Sequence, residues 1–462
     1  MTPSLRTPLL ALVAALATVQ AQEPNLVVPP QAGVTVLRNA NVIPMDRERI
    51  LTGQTIVVTN GVITALDEAS KVALPANARV VDLAGRYVLP GLVDMHAHLQ
   101  QGPGTLDDAA GRQLALWIAY GVTTARILAG PPSSIALRDS TARGRIVGPR
   151  IVAFSPSINA NSLKSANSAD SMIAAFKAAG FEGLKTHGGF DATTYDSVVA
   201  AARRHGLKLS GHVTPGYGLR RAMAAGQQIE HLDGFLQDLL APGYSGPPLG
   251  QIVFDATALA GVDTSRIRAL AAEFASRGLW NGPTLALFET VANDSTTEQL
   301  AARPNMQFVA PNAIAAWSQQ RRQAEASPPP RAARERFIDL RRQIVRALDA
   351  AGAKLLVGSD SPQAFMTVGD AVHREIEAFV TAGVPPFRAL LAATRAPAEY
   401  LGIADGGTIG VGKRSDLVVV DGNPLEQIAN TRRVSGTMVA GRWYDAAALE
   451  SLREAVRARL KP

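Results

Sequence analysis

Residues 87–99 read YVLPGLVDMHAHL. The run starts apolar, breaks at Pro90-Gly91 and resumes as LVDMHAHL. Strand alternation places Asp94, His96 and His98 on one face and Val93, Met95, Ala97 and Leu99 on the other. Imidazoles at that spacing lie about 7 Å apart along the strand. Converging rotamers bring both to one metal ion. The apolar face suits packing against helices, and the polar face then points into an enclosed space.

Downstream, Ala-rich helix-type segments alternate with short β-type runs, and a glycine usually marks the boundary. Examples are AYGVTTARIL, KAAGFEGLKTH, RHGLKLSGHV, AAGQQIEHLDG, SRGLWNGPTLAL and DAAGAKLLVGSD. Glycine takes the left-handed C-terminal cap of a helix before the chain turns into a strand. With RIVAFSPSI, the HAH strand and its successors number eight, which is the period and count of an α/β (β/α)8 TIM barrel over residues 90–403. Such barrels carry their chemistry at the strands' C-terminal ends. The polar residues there are His96 and His98 on the first strand, Lys185 and His187 on the fourth, His212 on the fifth, His231 on the sixth and Asp360 on the eighth. Five of the chain's seven histidines fall at these positions. His205 and His373 lie in helical patterns and read as structural. Asp94 sits deeper than His96 and reads as a support. Glu230 alternates away from His231 and is expected outside the barrel. Tyr217, Arg220 and Arg126 are candidates to face a substrate, since arginine recognises a carboxylate through paired hydrogen bonds.

The flanks differ in texture. VTVLRNANVI, QTIVVTNGVITAL and ARVVDLAGRYVL read as strands, with Asn60-Gly61 as a hairpin turn. β texture returns after the barrel in GGTIGVGKRSDLVVVDG and RRVSGTMVAGRWY. Residues 34–89 plus 404–446 are therefore expected to form a small β-sandwich domain into which the barrel is inserted. Residues 447–462 read as an amphipathic C-terminal helix, and 22–33 as a Pro-rich linker. Residues 1–21 read as a signal peptide: Arg6, an apolar core and Val19-Gln20-Ala21 as a cleavage site. That core is too short to span a membrane, so the chain is expected to be exported, to the periplasm or the medium, with no span in the mature part. The segments 235–260 and 288–331 are long for barrel loops and are expected on the active-site side.

Hydrophobic residues make up 47% of the 462, which excludes a disordered chain. The net charge is 46 − 39 = +7, but it is scattered and lacks an aromatic-interleaved patch, which argues against nucleic-acid binding. There is no cysteine, hence no disulfide and no thiolate ligand.

PGLVDMHAHL, the lysine of EGLKTH, SGHV, IEHLDG, VGSDSP and the closing run ATRAPAEYLGIADGGTIGVGKRSDLVVVDGNPL resemble the metal-dependent amidohydrolase superfamily. The chain is most similar to its imidazolonepropionase-like and secreted-dipeptidase branch. The resemblance implies two divalent metal ions, usually zinc. His96, His98 and Asp360 would hold one, His212 and His231 the other, and a carboxylated Lys185 would bridge them. It implies amide hydrolysis by a water activated between the ions, with Asp360 as general acid and base. The substrate would be a small molecule: a dipeptide, an N-acyl amino acid or an aryl amide of the ochratoxin kind. A homo-oligomer is the expected assembly. A cyclic-amide or lactone hydrolase is the alternative within the class, and a metal- or ligand-binding protein without catalysis the alternative outside it. Retention of Asp360 argues against the last. The approach Glu182-Gly183-Leu184 to Lys185 departs from the family pattern, and His187 shares that strand face as a substrate-facing candidate.

Overall fold

The computed structural model describes residue 29 and residues 33–163, 165–246 and 248–460. The expected leader 1–21 and most of the linker lie outside the described residues.

Five strands precede the barrel: β1 (Val34–Val42), β2 (Leu51–Thr59), β3 (Val62–Glu68), β4 (Arg79–Asp82) and β5 (Tyr87–Pro90). Asn60 and Gly61 both have positive φ, the backbone that matches a two-residue hairpin to strand twist. The barrel strands follow: β6 (Leu92–Ala97), β7 (Val122–Ile127), β8 (Arg150–Asn159), β9 (Gly183–Gly188), β10 (Lys208–Gly211), β11 (Gln228–Glu230), β12 (Trp280–Gly282) and β13 (Lys354–Leu355). The chain closes with β14 (Leu417–Val420), β15 (Val434–Val439), β16 (Arg442–Asp445) and a helix over Ala446–Leu460.

β5 is the hinge between the two bodies. It pairs with β1 on one edge and with β14 on the other, so the N- and C-terminal strands form one domain around the inserted barrel. Its strands run in the order β16-β15-β14-β5-β1-β2-β3, with β4 on β1. They make one continuous hydrogen-bonded sheet, the domain of N- and C-terminal strands that was expected. That sheet wraps a core of its own that includes Leu37, Val58, Val88, Leu417, Val419, Met438 and Trp443.

β6 to β13 run in sequence order and pair in parallel. Bonds from β6 to the segment after β13 close the ring: Met95 N–H to Val357 O at 2.9 Å and His98 N–H to Ser361 O at 3.0 Å. A large core of buried Leu, Ile, Val, Phe and Ala fills the space between strands and helices.

The two long segments differ from expectation. Residues 288–331 are largely helical: Leu285–Ala292, Thr297–Ala301 and Pro311–Ala326, with Pro311 at a helix start where its missing N–H costs nothing. Residues 235–260 hold two short helices, Phe235–Asp238 and Ala256–Ala260. Among the described residues no helix is long and apolar enough to cross a membrane.

Candidate metal centre

The strand ends bring the expected ligands together. A row of imidazoles crosses the barrel mouth, with ring centroids 5.3 Å apart for His98–His96, 4.7 Å for His96–His231, 4.6 Å for His231–His212 and 4.7 Å for His212–His187. Asp360 faces the row. Its Oδ1 lies 2.8 Å from His98 Nε2 and 3.5 Å from His96 Nε2, and its Oδ2 lies 3.7 Å from His231 Nδ1. Ligand atoms of His96, His231 and Asp360 all fall within 4.8 Å of one another. Lys185 is fully buried, with Nζ 3.3 Å from His96 Nε2.

Each ring is anchored at Nδ1. His96 Nδ1 meets Glu230 Oε2 at 3.0 Å, His98 Nδ1 meets Leu128 O at 3.0 Å, His212 Nδ1 meets Asp233 Oδ2 at 2.9 Å and His231 Nδ1 meets Thr284 Oγ1 at 2.7 Å. A carboxylate or carbonyl oxygen only accepts, so Nδ1 carries the proton in the first three rings. Their Nε2 atoms are then lone pairs when the rings are neutral. Burial holds the His96 and His231 pKa values well below the ordinary histidine value, so both rings are neutral. Asp360 Oδ1 lies 2.8 Å from His98 Nε2 and 3.5 Å from the neutral His96 Nε2, contacts that need a proton or a cation between the atoms. Acceptors that converge this closely call for a cation. Imidazole nitrogens with one carboxylate are a donor set for a transition-metal dication, and anchoring of the far ring nitrogen is how such ligands are oriented. The residues fit the implied metal.

The same anchoring gives Thr284 a measurable role. Thr284→Val keeps the β-branched shape at φ 47° and deletes the hydroxyl that His231 uses. Loss of such a partner weakens metal binding by about 10–100-fold. Competition against a chromophoric chelator checks this, and unchanged affinity would show that Thr284 only packs.

The backbone is bent to make the centre. His231, Leu232, Thr284 and Asp360 all have positive φ, a conformation that costs of order 1–3 kcal/mol per non-glycine residue and clusters at functional sites. Long-range bonds hold it. Asp360 N–H donates to His96 O at 2.6 Å. Arg341, buried against the Phe288 ring, donates through Nη2 to His231 O at 2.7 Å and Pro283 O at 2.9 Å. Gly358 lets the last strand pass β6, since a Cβ there would fall 2.7 Å from that of His96.

Below the ligands lies a charged core. Arg126 Nη2 meets Glu230 Oε1 at 2.6 Å, Nη1 meets Gln228 Oε1 at 2.8 Å, and Nε meets Met95 O at 2.6 Å. Both charged groups are fully buried. Gly282 leaves room for them, because a Cβ there would sit 2.5 Å from Glu230 Oε2. Asp94 accepts from Ser359 N–H at 3.0 Å and Ser359 Oγ at 2.7 Å, and burial pushes its carboxyl up to about 6. It steadies the segment leading to Asp360, the supporting role expected of it.

Four sequence readings are corrected here. Glu230 points into the barrel, because β11 ends at that residue and the positive φ of His231 breaks the alternation. Arg126 is spent on Glu230 and is closed to substrate. Tyr217 stacks on Tyr195 at 3.9 Å and donates its hydroxyl to His212 O, so it braces the ligand strand. Arg220 lies on a helix surface, paired with Asp238 and Glu273, away from the mouth. His187 does line the mouth: it is exposed and meets Ser157 Oγ at 3.1 Å. Burial of part of its ring, with His212 and Lys185 nearby, lowers its pKa to about 4. Glu230, Asp233, Thr284, Gln363 and Arg341 were not singled out as site residues by sequence reasoning. Only Glu230 and Asp233 carried a signal, inside IEHLDG.

Several solved structures share this fold. Bottromycin amidohydrolase superimposes with a TM-score of 0.71 at 23% identity, over 93% of this chain and 91% of that one. A Xaa-Pro dipeptidase gives 0.65 at 21% identity, over 89% and 100%. The A. niger ochratoxinase gives 0.61 at 16% identity, over 90% and 97%. Curated sequences match only locally. Dihydroorotase of Syntrophus aciditrophicus is 43% identical over 70 residues, 15% of this chain and 16% of that protein. Dihydroorotase of Geobacter sulfurreducens is 53% identical over 49 residues, 11% of each. The chain therefore spans about one sixth or less of the length of these relatives. The family model for amidohydrolases matches residues 87–444, from β5 through the last strand, and by that match the chain belongs to the amidohydrolase family.

Proposed function

We propose that the protein is an exported hydrolase that cleaves the C–N bond of a small amide: a dipeptide, an N-acyl amino acid or an aryl amide. The observation that carries the reading is the convergence of imidazole nitrogens and one carboxylate at the barrel mouth. His96, His98 and Asp360 would hold one divalent ion, His212 and His231 a second, both most simply zinc. Lys185 suits the bridge. It is buried, and among the described residues its Nζ has one hydrogen-bond partner, an imidazole nitrogen. Burial also lowers its pKa, which favours the neutral amine that carboxylation requires. Bound there, the ions would lower the pKa of a water toward neutrality and polarise a carbonyl.

The protein's own groups do the rest. Asp360 Oδ1 is fixed by His98 and by Gln363 Nε2 at 2.6 Å, positioned to take a proton from the attacking water and return it to the leaving nitrogen. Glu230, Asp233 and Thr284 hold the imidazoles in place. His187, exposed beside His212, faces arriving substrate. The local likeness to dihydroorotases favours a cyclic amide as the second reading.

Metal analysis coupled to assays on N-acyl amino acids, dipeptides, cyclic amides and lactones tests the proposal. About two transition-metal ions per chain are expected, with activity lost in chelator and restored by zinc. Full activity in a metal-free protein would refute it. Lys185→Ala is expected to lose most activity and part of the metal, with partial rescue by propionate. Density for an unmodified ammonium beside two bound ions would rule out the carbamate.

A further inference from the structure

Beside the barrel mouth lies a cavity of about 530 Å³ walled by Phe254, Val291, Leu300, Trp317, Ala364 and Phe365. Three chain connections tie it to the metal centre. Ala364 and Phe365 directly follow Gln363, which donates to Asp360 Oδ1 at 2.6 Å. Phe254 lies three residues beyond Gln251, whose Nε2 is 3.4 Å from His212 Nδ1; three extended residues span about 10 Å. Val291 continues the helix that carries Phe288, and the Phe288 ring centroid is 5.9 Å from that of His231.

The chemistry of the wall is specific. Trp317 meets Phe365 edge to face at 5.9 Å, and Phe254 adds a third ring. The charged residues around them are already engaged. Arg321 donates to the carbonyls of Val291, Asn293 and Ser295 and pairs with Glu325. Arg334 donates to Ala292 O and pairs with Asp294. Glu325 also accepts from Thr297 N–H and Oγ1. The cavity therefore offers ring faces and edges but no uncommitted charge. Its volume falls in the range of small-molecule pockets, and ring-on-ring contact adds to area burial.

We propose that this cavity receives a neutral aromatic part of the substrate, so that the enzyme prefers aryl-bearing amides over small aliphatic ones. The inference rests on the amide-hydrolase reading for its catalytic consequence. Its binding arm does not.

Trp317 is half-buried, on a mostly exposed helix, and packs against the small cluster of Leu300, Met306, Val309 and Phe365, so Trp317→Phe, which keeps a ring there, controls for loss of packing. Two measurements are made on wild type, Trp317→Asp and Trp317→Phe. The first is equilibrium dialysis with 2-acetonaphthone, a neutral bicyclic ketone that cannot be hydrolysed. The second is kcat/KM for (2-naphthyl)acetylglycine against acetylglycine. Wild type is expected to bind the ketone and to prefer the naphthyl substrate by about 10²-fold, within the range that apolar pockets discriminate. Trp317→Asp should lower both ketone affinity and that preference at least ~10-fold by placing a carboxylate in the cavity. Trp317→Phe should retain both. Ketone binding unaffected by Trp317→Asp, or equal loss on the two amides, overturns the inference. Failure to hydrolyse either amide would count against the catalytic reading, while ketone binding would still decide the cavity.

Discussion

Asp360→Asn is expected to keep the metals largely bound while turnover on the best amide falls by ~10²–10⁴, the usual contribution of general acid–base catalysis. The geometry gives the reason. Burial alone would push the Asp360 carboxyl up, but its hydrogen bond with His98 Nε2 holds it down at about 2. The group is therefore ionised at every working pH and enters the reaction as a base. Asparagine preserves the shape and one carbonyl oxygen for His98 and Gln363 to contact, but it cannot accept the proton. Metal content by mass spectrometry and kcat on the same preparation check both halves of the expectation. Near-wild-type kcat with both ions present would show that another group moves the proton. His187 would be the first suspect, since it lines the same mouth and is neutral above about pH 4.

The barrel and its candidate ligands were legible because strand alternation holds while a residue is inside a strand. His96 lies within β6 and Lys185 within β9, and both face inward as read. Alternation fails one residue past a strand end. β11 stops at Glu230, the chain turns through positive φ at His231, and two successive side chains then reach the same interior. No periodicity reports that turn. Arg126 was misread for a different cause. Its partner Glu230 is 104 residues away, and nothing local shows that a long cation folds back into the barrel. Tyr217 and Arg220 sit close to His212 in sequence, but Arg220 belongs to the helix Gly218–Ala225, whose outer face turns away from the mouth. The helices within 288–331 came with a start signal in Pro311, yet their role as one wall of a cavity depends on Phe254 and Phe365, from segments that sequence reading treats separately.

Arg126→Met carries the largest expected effect on stability. Arg126 and Glu230 are both completely buried and joined at 2.6 Å. Replacing an ion pair with matched neutral groups is often nearly neutral, because desolvation of two charges offsets their attraction. Removing one partner is different, since it strands the other charge in the interior at about 3–5 kcal/mol. Methionine fills the space of the arginine stem but leaves Glu230 with His96 Nδ1 as its one side-chain hydrogen-bond partner among the described residues. The urea midpoint of metal-free protein should therefore fall sharply in Arg126→Met, and the metal-free form matters because bound ions would mask the loss by mass action. Adding Glu230→Gln removes the stranded charge while keeping an acceptor for His96, and should recover most of the stability. Metal affinity of that double variant should stay below wild type, because a neutral amide orients His96 less firmly than a carboxylate does. Equal midpoints for wild type and Arg126→Met would mean that water reaches Glu230. The charged core would then serve the metal ligand alone and contribute nothing to holding the barrel together.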